Sequence, residues 1–199
     1  MSTSFQSQRR QSLKVGALAA IGAPLAYAAS TTPPAIHKGS LVEHSLFAGH
    51  LVSGPYERVI LTPEQAPQYI RNYLDYLDGK IEYEFRLKEY HNLQVVGLQS
   101  ALGDVSLVVI ENENLATLPD YIQQTKTMYV VDSIDAVYEK ARLNGIPILQ
   151  KRTPNIMGAQ GRLLLAPGYI IELAEATNQS LFNPDLEAMK LPPAHNLRS

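Results

Sequence analysis

The sequence predicts an α+β fold in which the order βαβββ occurs twice. Three observations predict it: strand-like alternating runs, two amphipathic helices with matching apolar spacing, and a glycine just after each helix. The helix faces are Ile70, Tyr73, Leu74 and Leu77 in the first half, and Ile134, Val137, Tyr138 and Ala141 in the second. Both sets recur at i, i+3, i+4 and i+7, so we interpret them as an internal structural repeat with little sequence identity between its copies.

The first half begins with an alternating strand at 56–62 and a helix that starts at Pro63, where the missing N–H of proline costs nothing. Asp78-Gly79 closes this helix, with glycine as the left-handed residue. Three further strands are predicted over 80–87, 93–101 and 105–110.

The second half repeats this order. A strand over 125–131 leads to a helix whose N-cap is Asp132 or Ser133, and Asn144-Gly145 ends that helix. Its three further strands are predicted over 146–151, 161–166 and 170–174.

Residues 1–28 are typical of a removable export signal. Positive residues at Arg9, Arg10 and Lys14 precede an apolar run, and Ala26-Tyr27-Ala28 gives a small-x-small cleavage site. The alternative, an uncleaved anchor, is disfavoured because the apolar run is shorter than the about 20 residues that span a bilayer. The mature chain is therefore expected to have no membrane span.

The adjacent arginines resemble a twin-arginine signal, although two flanking positions depart from that pattern and the general secretory route stays open. Either route predicts a periplasmic or secreted protein of a bacterium. We divide the rest of the chain into an arm over 29–54, a domain over 55–176 and a tail over 177–199. Part of the arm is expected to pack on the domain. The tail is expected to carry a short helix near 184–190 and to wrap a neighbour, as in a homodimer, or to fray.

Composition excludes several classes. A net charge of −2 without a Lys/Arg-dense block argues against nucleic-acid binding. The lack of cysteine excludes disulfides, thiolate metal sites and a cysteine nucleophile.

Three runs in the second half carry a family resemblance, at 131–138, 143–148 and 167–173. They resemble the strand-to-helix junction, helix end and closing turn of vicinal oxygen chelate proteins, the superfamily of glyoxalases, bleomycin-resistance proteins and extradiol dioxygenases. The first half resembles the family more loosely, at 58–62 and 72–79, and the resemblance covers about 55–176.

The resemblance implies paired βαβββ modules whose strands curl into an open, cup-shaped mixed sheet around a small-molecule site. Many members bind a divalent metal there, through the first strand of each module and a Glu on the last strand. Family activities range from lyases and dioxygenases to drug sequestration, so the fold does not select a function.

The resemblance places the three metal-ligand positions at Arg58, Lys126 and Glu172. Arg and Lys are cations and do not ligate divalent ions, so we expect no metal site and no cofactor. A bound divalent metal stays an alternative, because a one-residue slip of register turns every side chain to the other face. His44 and His50, with Glu43, would give a makeshift site if the arm folded over the cup, but ordinary surface or half-buried histidines are favoured, because metal sites need three or more convergent ligands.

A sharper hypothesis places Arg58, Lys126 and Glu172 inside the cup as a salt bridge that replaces the metal, or as a clamp for a carboxylate or phosphate. Glu172 is then the candidate catalytic base. The alternative, equally favoured, is a charge network that only closes a vestigial pocket. Met128, on the face predicted for Lys126, and Tyr129 are candidate ligand-binding residues, although core packing explains a strand tyrosine equally simply. The loop at 157–161 is expected to be a lid.

The function predicted from the sequence is metal-independent binding of a small organic molecule, anionic or aromatic, by an exported protein. It leaves open whether the protein is an enzyme. The alternatives are a metal-dependent glyoxalase-like lyase or extradiol-type dioxygenase, and a non-catalytic interaction or structural protein.

Overall fold

The computed structural model describes residues 45–182, 184–185 and 187–193. The predicted export signal and the arm as far as residue 44 lie outside the described residues. Export, and the boundaries drawn around the arm and tail, therefore stay predictions. Among the described residues, no helix is long and apolar enough to cross a membrane.

The described chain contains eight strands, four α-helices and two short 3₁₀ turns. The strands are β1 Leu51–Leu61, β2 Lys80–Leu87, β3 Leu93–Gln99, β4 Asp104–Val109, β5 Thr125–Val131, β6 Ile148–Asn155, β7 Gly158–Ala166 and β8 Tyr169–Ala176. The helices are α1 Ala66–Tyr76, α2 Asn112–Leu115, α3 Asp120–Gln123 and α4 Ile134–Leu143. The 3₁₀ turns are Lys88–Tyr90 and Gln179–Leu181.

The strands form one curled sheet in the order β2-β3-β4-β1-β5-β8-β7-β6. Within each half the first and last strands pair in parallel, β1 with β4 and β5 with β8, while β1 and β5 join the halves antiparallel. This confirms the predicted α+β fold of two βαβββ modules. Module 1 runs from β1 to β4, and module 2 runs from β5 to β8.

The strand boundaries differ from the predictions mainly at turns. The ranges predicted for β2 and β5 agree with the structure, but β1 begins at Leu51 and pairs there with Val131, so residues 51–54 belong to the sheet. The lid predicted at 157–161 is wrong, because Gly158–Ala166 is strand β7 and pairs with both β6 and β8.

Helix α1 begins and ends differently from the prediction. Pro63 lies in a turn, closed by the Gln65 N–H donating to the Thr62 carbonyl at 3.1 Å, and the helix starts at Ala66. The left-handed residue after the helix is Asp78, at φ +49°, rather than Gly79. Glycine is needed next to it for space, because a Cβ at Gly79 would overlap the Tyr73 ring.

Helix α4 follows its prediction. Ser133 is the N-cap and its Oγ accepts from the Ala136 N–H at 3.2 Å, and Gly145 follows the helix at φ +69°. Glu175 of β8 adds a second acceptor, receiving the Ile134 N–H at 2.7 Å, and thereby ties α4 to the sheet.

The core has three parts. Helix α1 packs on the convex face of module 1, over Val96, Leu98 and Leu107, and α4 packs on the convex face of module 2, over Leu163, Ile171 and Leu173. The third part lies on the concave face and includes Tyr83, Phe85, Val95, Val108 and Met128. Successive strand residues alternate between these faces, as the period of two requires.

The linker between the modules, residues 111–124, covers the concave face. It contains α2 and α3, for which the sequence predicted no element, and it packs Leu115, Leu118 and Ile122 against the concave core. This covering linker takes the position over the cup that the sequence had assigned to 157–161.

The described part of the tail packs on its own domain. Phe182 bridges to Tyr83 of β2, and the Arg71 Nε donates to the Pro192 carbonyl at 2.7 Å. The helix predicted near 184–190 is wrong, since 187–190 form a turn. The expectation of a homodimer stays a prediction.

Candidate functional site

The strand register brings a set of polar side chains to the centre of the concave face. Arg58 of β1 lies beside Ser106 of β4, while Met128 of β5 and Arg162 of β7 both lie beside Glu172 of β8. The sheet therefore converges on Glu172, the residue that the sequence singled out on the last strand.

Two arginines share one carboxylate oxygen at this centre. Arg58 Nη2 and Arg162 Nη2 both donate to Glu172 Oε2, the latter at 3.1 Å. The side chains of Arg58, Glu172 and Arg162 are only 5%, 8% and 5% exposed, so the ion pairs are shielded from water. We call these three residues the charge cluster.

Three further guanidinium nitrogens donate to neutral groups. Arg58 Nη1 donates to Ser106 Oγ at 2.9 Å, and Arg162 donates through Nε to Thr125 Oγ1 at 3.0 Å and through Nη1 to Gln150 Oε1. The Arg162 guanidinium also lies 5.8 Å from the centre of the Tyr121 ring in the linker. Among the described residues, no buried side-chain polar atom lacks a partner.

The charge cluster has an excess of positive charge, because it contains two guanidinium groups and only one carboxylate. Burial lowers the pKa of the Arg162 guanidinium, while the neighbouring Glu172 carboxylate opposes that shift. Arginine stays protonated in proteins, so both guanidiniums keep their charge. Burial also raises the pKa of the Tyr83 hydroxyl beside Ser106, so no phenolate offsets the excess.

The space beside the charge cluster is small and apolar. Its other walls include Phe85, Leu87, Val95, Val108 and Met157, with Leu115, Leu118 and Ile122 of the linker closing the mouth. The cavity volume is about 40 Å³, which admits a few waters. Ligand sites for small molecules have about 300–1,000 Å³, so a ligand would require the linker to move.

The sequence placed Lys126 inside the cup, and the structure corrects this. Lys126 is exposed and does not line the cavity. The β5–β8 register shifts between Thr125 and Thr127, so the alternation breaks there. Thr125 turns inward to Arg162 instead, while Lys126 faces solvent.

The candidate ligand-binding residues Met128 and Tyr129 lie on opposite faces of β5. Met128 is buried and lines the cavity beside Glu172. Tyr129 lies on the opposite face of β5, where its ring stacks on Phe47 at 4.6 Å. Tyr129 therefore contributes to the attachment of the segment before β1 rather than to the concave face.

Arg162 is the main residue that the sequence analysis missed. A single arginine in the apolar run Gly161-Arg162-Leu163-Leu164-Leu165 was the available signal, because a cation in a buried strand requires a buried partner. Ser106, in a run of valine and leucine, gave a similar and weaker signal.

The residues around Glu172 do not fit a divalent metal. Its neighbours are two guanidiniums and the thioether of Met128, and Oε2 already accepts from both arginines. Within the described ranges, no group of three His, Asp or Glu side chains could hold a metal ion. His50 pairs with the exposed Asp132 at 2.9 Å, while Glu43 and His44 lie outside those ranges.

No protein-family model matches the chain, and no curated protein matches its sequence. Solved structures do resemble it. Methylmalonyl-CoA epimerase from Mycobacterium tuberculosis is 16% identical, covers 72% of this chain and 97% of its own, and superposes with a TM-score of 0.52. This similarity shows the vicinal oxygen chelate fold, which confirms at that level the resemblance inferred from the sequence.

Two further structures give lower scores. A hypothetical protein from Bacillus halodurans is 17% identical over 62% of this chain and 95% of its own, with a TM-score of 0.48. A mutant of 4-hydroxymandelate synthase from Streptomyces coelicolor is 12% identical over 65% of this chain and 40% of its own, with a TM-score of 0.44.

Proposed function

We propose that this protein binds a small organic anion in the cup, without a divalent metal, through Arg58 and Arg162. The observation that carries the proposal is the charge cluster, in which two buried arginines meet a single carboxylate oxygen. A carboxylate or a similar anion with an apolar body would neutralise the excess charge, and its body would contact the apolar walls.

A buried net charge is costly unless it is paired. Guanidiniums present planar, fixed donors that match the geometry of a carboxylate. Glu172 Oε2 is engaged by both arginines, so its role in this proposal is to hold them in position. Proton abstraction by Glu172, the catalytic role inferred from the sequence, is not needed for binding.

Ligand entry requires the linker to open. Its two helices have four residues each, and its contacts to the concave face are mainly those of Leu115, Leu118 and Ile122. Short helices and few apolar contacts are typical of segments that open locally. The anion would take the place of the Leu115, Leu118 and Ile122 side chains. It would then lie beside Arg162 and next to Tyr121.

The test compares benzoate with benzamide, its neutral analogue, by calorimetric titration of the purified protein. We expect benzoate to bind at least about tenfold more tightly, and Arg58→Met and Arg162→Met to abolish that preference. Each variant leaves a neutral ion pair with Glu172 and should fold. Lys126→Met is the matched control, because it removes one positive charge outside the cup and should leave the preference unchanged.

Equal affinity for benzoate and benzamide, or equal losses in the Lys126 and Arg58 variants, would contradict anion binding in the cup. Metal analysis of protein purified without chelators tests the metal-free part separately. One equivalent of iron, zinc, manganese or nickel, lost on Glu172→Gln, would favour the metal-dependent lyase or dioxygenase instead.

We also propose that the protein acts outside the cytoplasm, on the strength of the positive residues, apolar run and Ala26-Tyr27-Ala28 site of the first 28 residues. N-terminal sequencing of protein from the periplasm of an expressing bacterium should find a chain that begins at Ala29. An unprocessed chain retained in the cytoplasm would contradict export.

A further inference from the structure

A second cleft opens at the other end of the concave face. Strand β1 runs from Val52 and Ser53, which line this cleft, through Tyr56 to Arg58, which lines the cavity of the cup. The buried rings of Tyr56 and Tyr83 lie at the cleft, and Met157 lines both spaces. The cleft has a volume of about 450 Å³, which falls in the range of small-molecule sites.

The principal polar group inside this cleft is the half-buried carboxylate of Glu82. Its Oε2 accepts from the Tyr56 hydroxyl at 3.0 Å, and that hydroxyl lies 3.1 Å from Ser53 Oγ. The ion pairs of the described residues do not include Glu82, and Asp132 at the rim is already paired with His50.

The electrostatic surroundings leave the Glu82 carboxylate short of positive charge. Burial raises the pKa of Glu82, and the nearby Asp104 acts in the same direction, whereas the Tyr56 hydroxyl and Lys80 oppose the shift. A carboxylate in this position is partly stripped of water, and one neutral hydroxyl does not replace a cation.

The walls of the cleft suit an organic cation. Phe182 packs edge-on against Tyr83 with their ring centres 5.7 Å apart, and both rings line the space. Val52, Val130 and Ala176 supply further apolar surface. Aromatic faces attract ammonium groups, and alkyl substituents on the nitrogen gain from the apolar walls.

We propose that this cleft binds a small organic ammonium ion, with Glu82 as its counter-ion and the partly exposed ring of Phe182, backed by the buried Tyr83, as its aromatic wall. Binding in this cleft does not depend on the anion site. The two ends of the concave face thus carry opposite charge, with excess positive charge at the charge cluster and, at Glu82, a carboxylate that is hydrogen-bonded but makes no ion pair with the described residues.

The experiment uses choline as the probe, alongside its uncharged analogue in which carbon replaces the quaternary nitrogen. Binding to the purified protein is followed by NMR titration. We expect choline to bind at least about tenfold more tightly than the analogue, and Glu82→Gln to remove that difference while keeping an acceptor for Tyr56. Glu84→Gln is the matched control, because Glu84 lies on the same strand and contacts Gln94 and Arg86 outside the cleft.

A second variant, Phe182→Leu, keeps the wall apolar and removes the aromatic face, so it should weaken choline binding and leave the analogue unaffected. Arg58→Met should change neither, since it acts on the other site. The proposal is overturned if choline does not bind, if it binds no better than the analogue, or if Glu82→Gln and Glu84→Gln have equal effects.

Discussion

The two modules share one fold, yet they place different chemistry at equivalent positions. Register pairs define four such positions on the concave face. With the module 1 residue first, the equivalent pairs are Arg58 and Met128, Ser106 and Glu172, Gly97 and Arg162, and Tyr83 and Gln150.

The difference shows how the charge cluster is built across the module boundary. The carboxylate comes from β8 alone, because its equivalent on β4 is Ser106. Each module contributes one arginine from a non-equivalent strand, Arg58 from β1 and Arg162 from β7. At Gly97, the equivalent of Arg162, the Tyr83 ring occupies the space that a side chain would need. The repeat thus supplies the scaffold, and its asymmetry supplies the excess charge.

The largest expected effect is on stability when the shared carboxylate is removed. Glu172→Gln leaves two buried arginines facing a neutral amide and should cost about 3–5 kcal/mol. The equivalent change in module 1, Ser106→Ala, removes a hydroxyl and should cost about 1 kcal/mol. Urea unfolding measures both, and equal losses would show that the modules are energetically alike at this position.

A smaller effect on stability is expected at Gly97 of module 1, where the Tyr83 ring occupies the space that a side chain would need. Gly97→Ala should cost about 1–3 kcal/mol, because the new methyl group overlaps the Tyr83 ring. In a Tyr83→Leu background the same change should cost clearly less. Chemical denaturation of the four proteins in this cycle would refute the steric account if the two costs were the same.

The helices provide the next comparison. The Ser133 side chain caps α4, whereas the N-cap of α1, Gln65, makes no side-chain capping bond. Ser133→Ala should therefore cost about 1 kcal/mol, and Gln65→Ala only a few tenths. Thermal unfolding is sufficient to measure the difference, and a larger loss at Gln65 would contradict the assignment of the caps.

The smallest expected effect is on the pH dependence of folding stability. Arg152 lowers the pKa of Glu175 in module 2, whereas burial raises that of Glu82 in module 1, both relative to 4.5. A lowered carboxyl pKa stabilises above the unfolded value, and this stability is lost as pH falls through the folded pKa. A raised pKa has the opposite sign, so stability falls as pH rises from 4.5 through the folded pKa.

Melting temperatures across this range should therefore show opposite changes in two variants. Glu175→Gln should flatten the loss of stability on the acid side, and Glu82→Gln should flatten the decline above 4.5. Parallel profiles for the two variants would contradict these directions.

The sequence predicted most of the fold because periodicity and turn residues are local signals. The α4 cap and the bounds of β2 and β5 followed from them, whereas the inward position of Arg58 and Glu172 followed from the family resemblance. The inward position predicted for Lys126 was wrong, because one bulge in β5 reverses the alternation and leaves no clear mark in the sequence. The linker was missed because α2 and α3 have four residues each, too few to show a helical period.

The most direct test of the central claim is NMR observation of the Nε–Hε groups of Arg58 and Arg162 during titration with benzoate. Anion binding at the charge cluster predicts saturable shifts of both signals with benzoate, and no such shifts with benzamide. Anion binding at the charge cluster would be contradicted if both signals stayed unchanged while benzoate saturated another site on the protein. It would also be contradicted if the signals responded equally to benzamide.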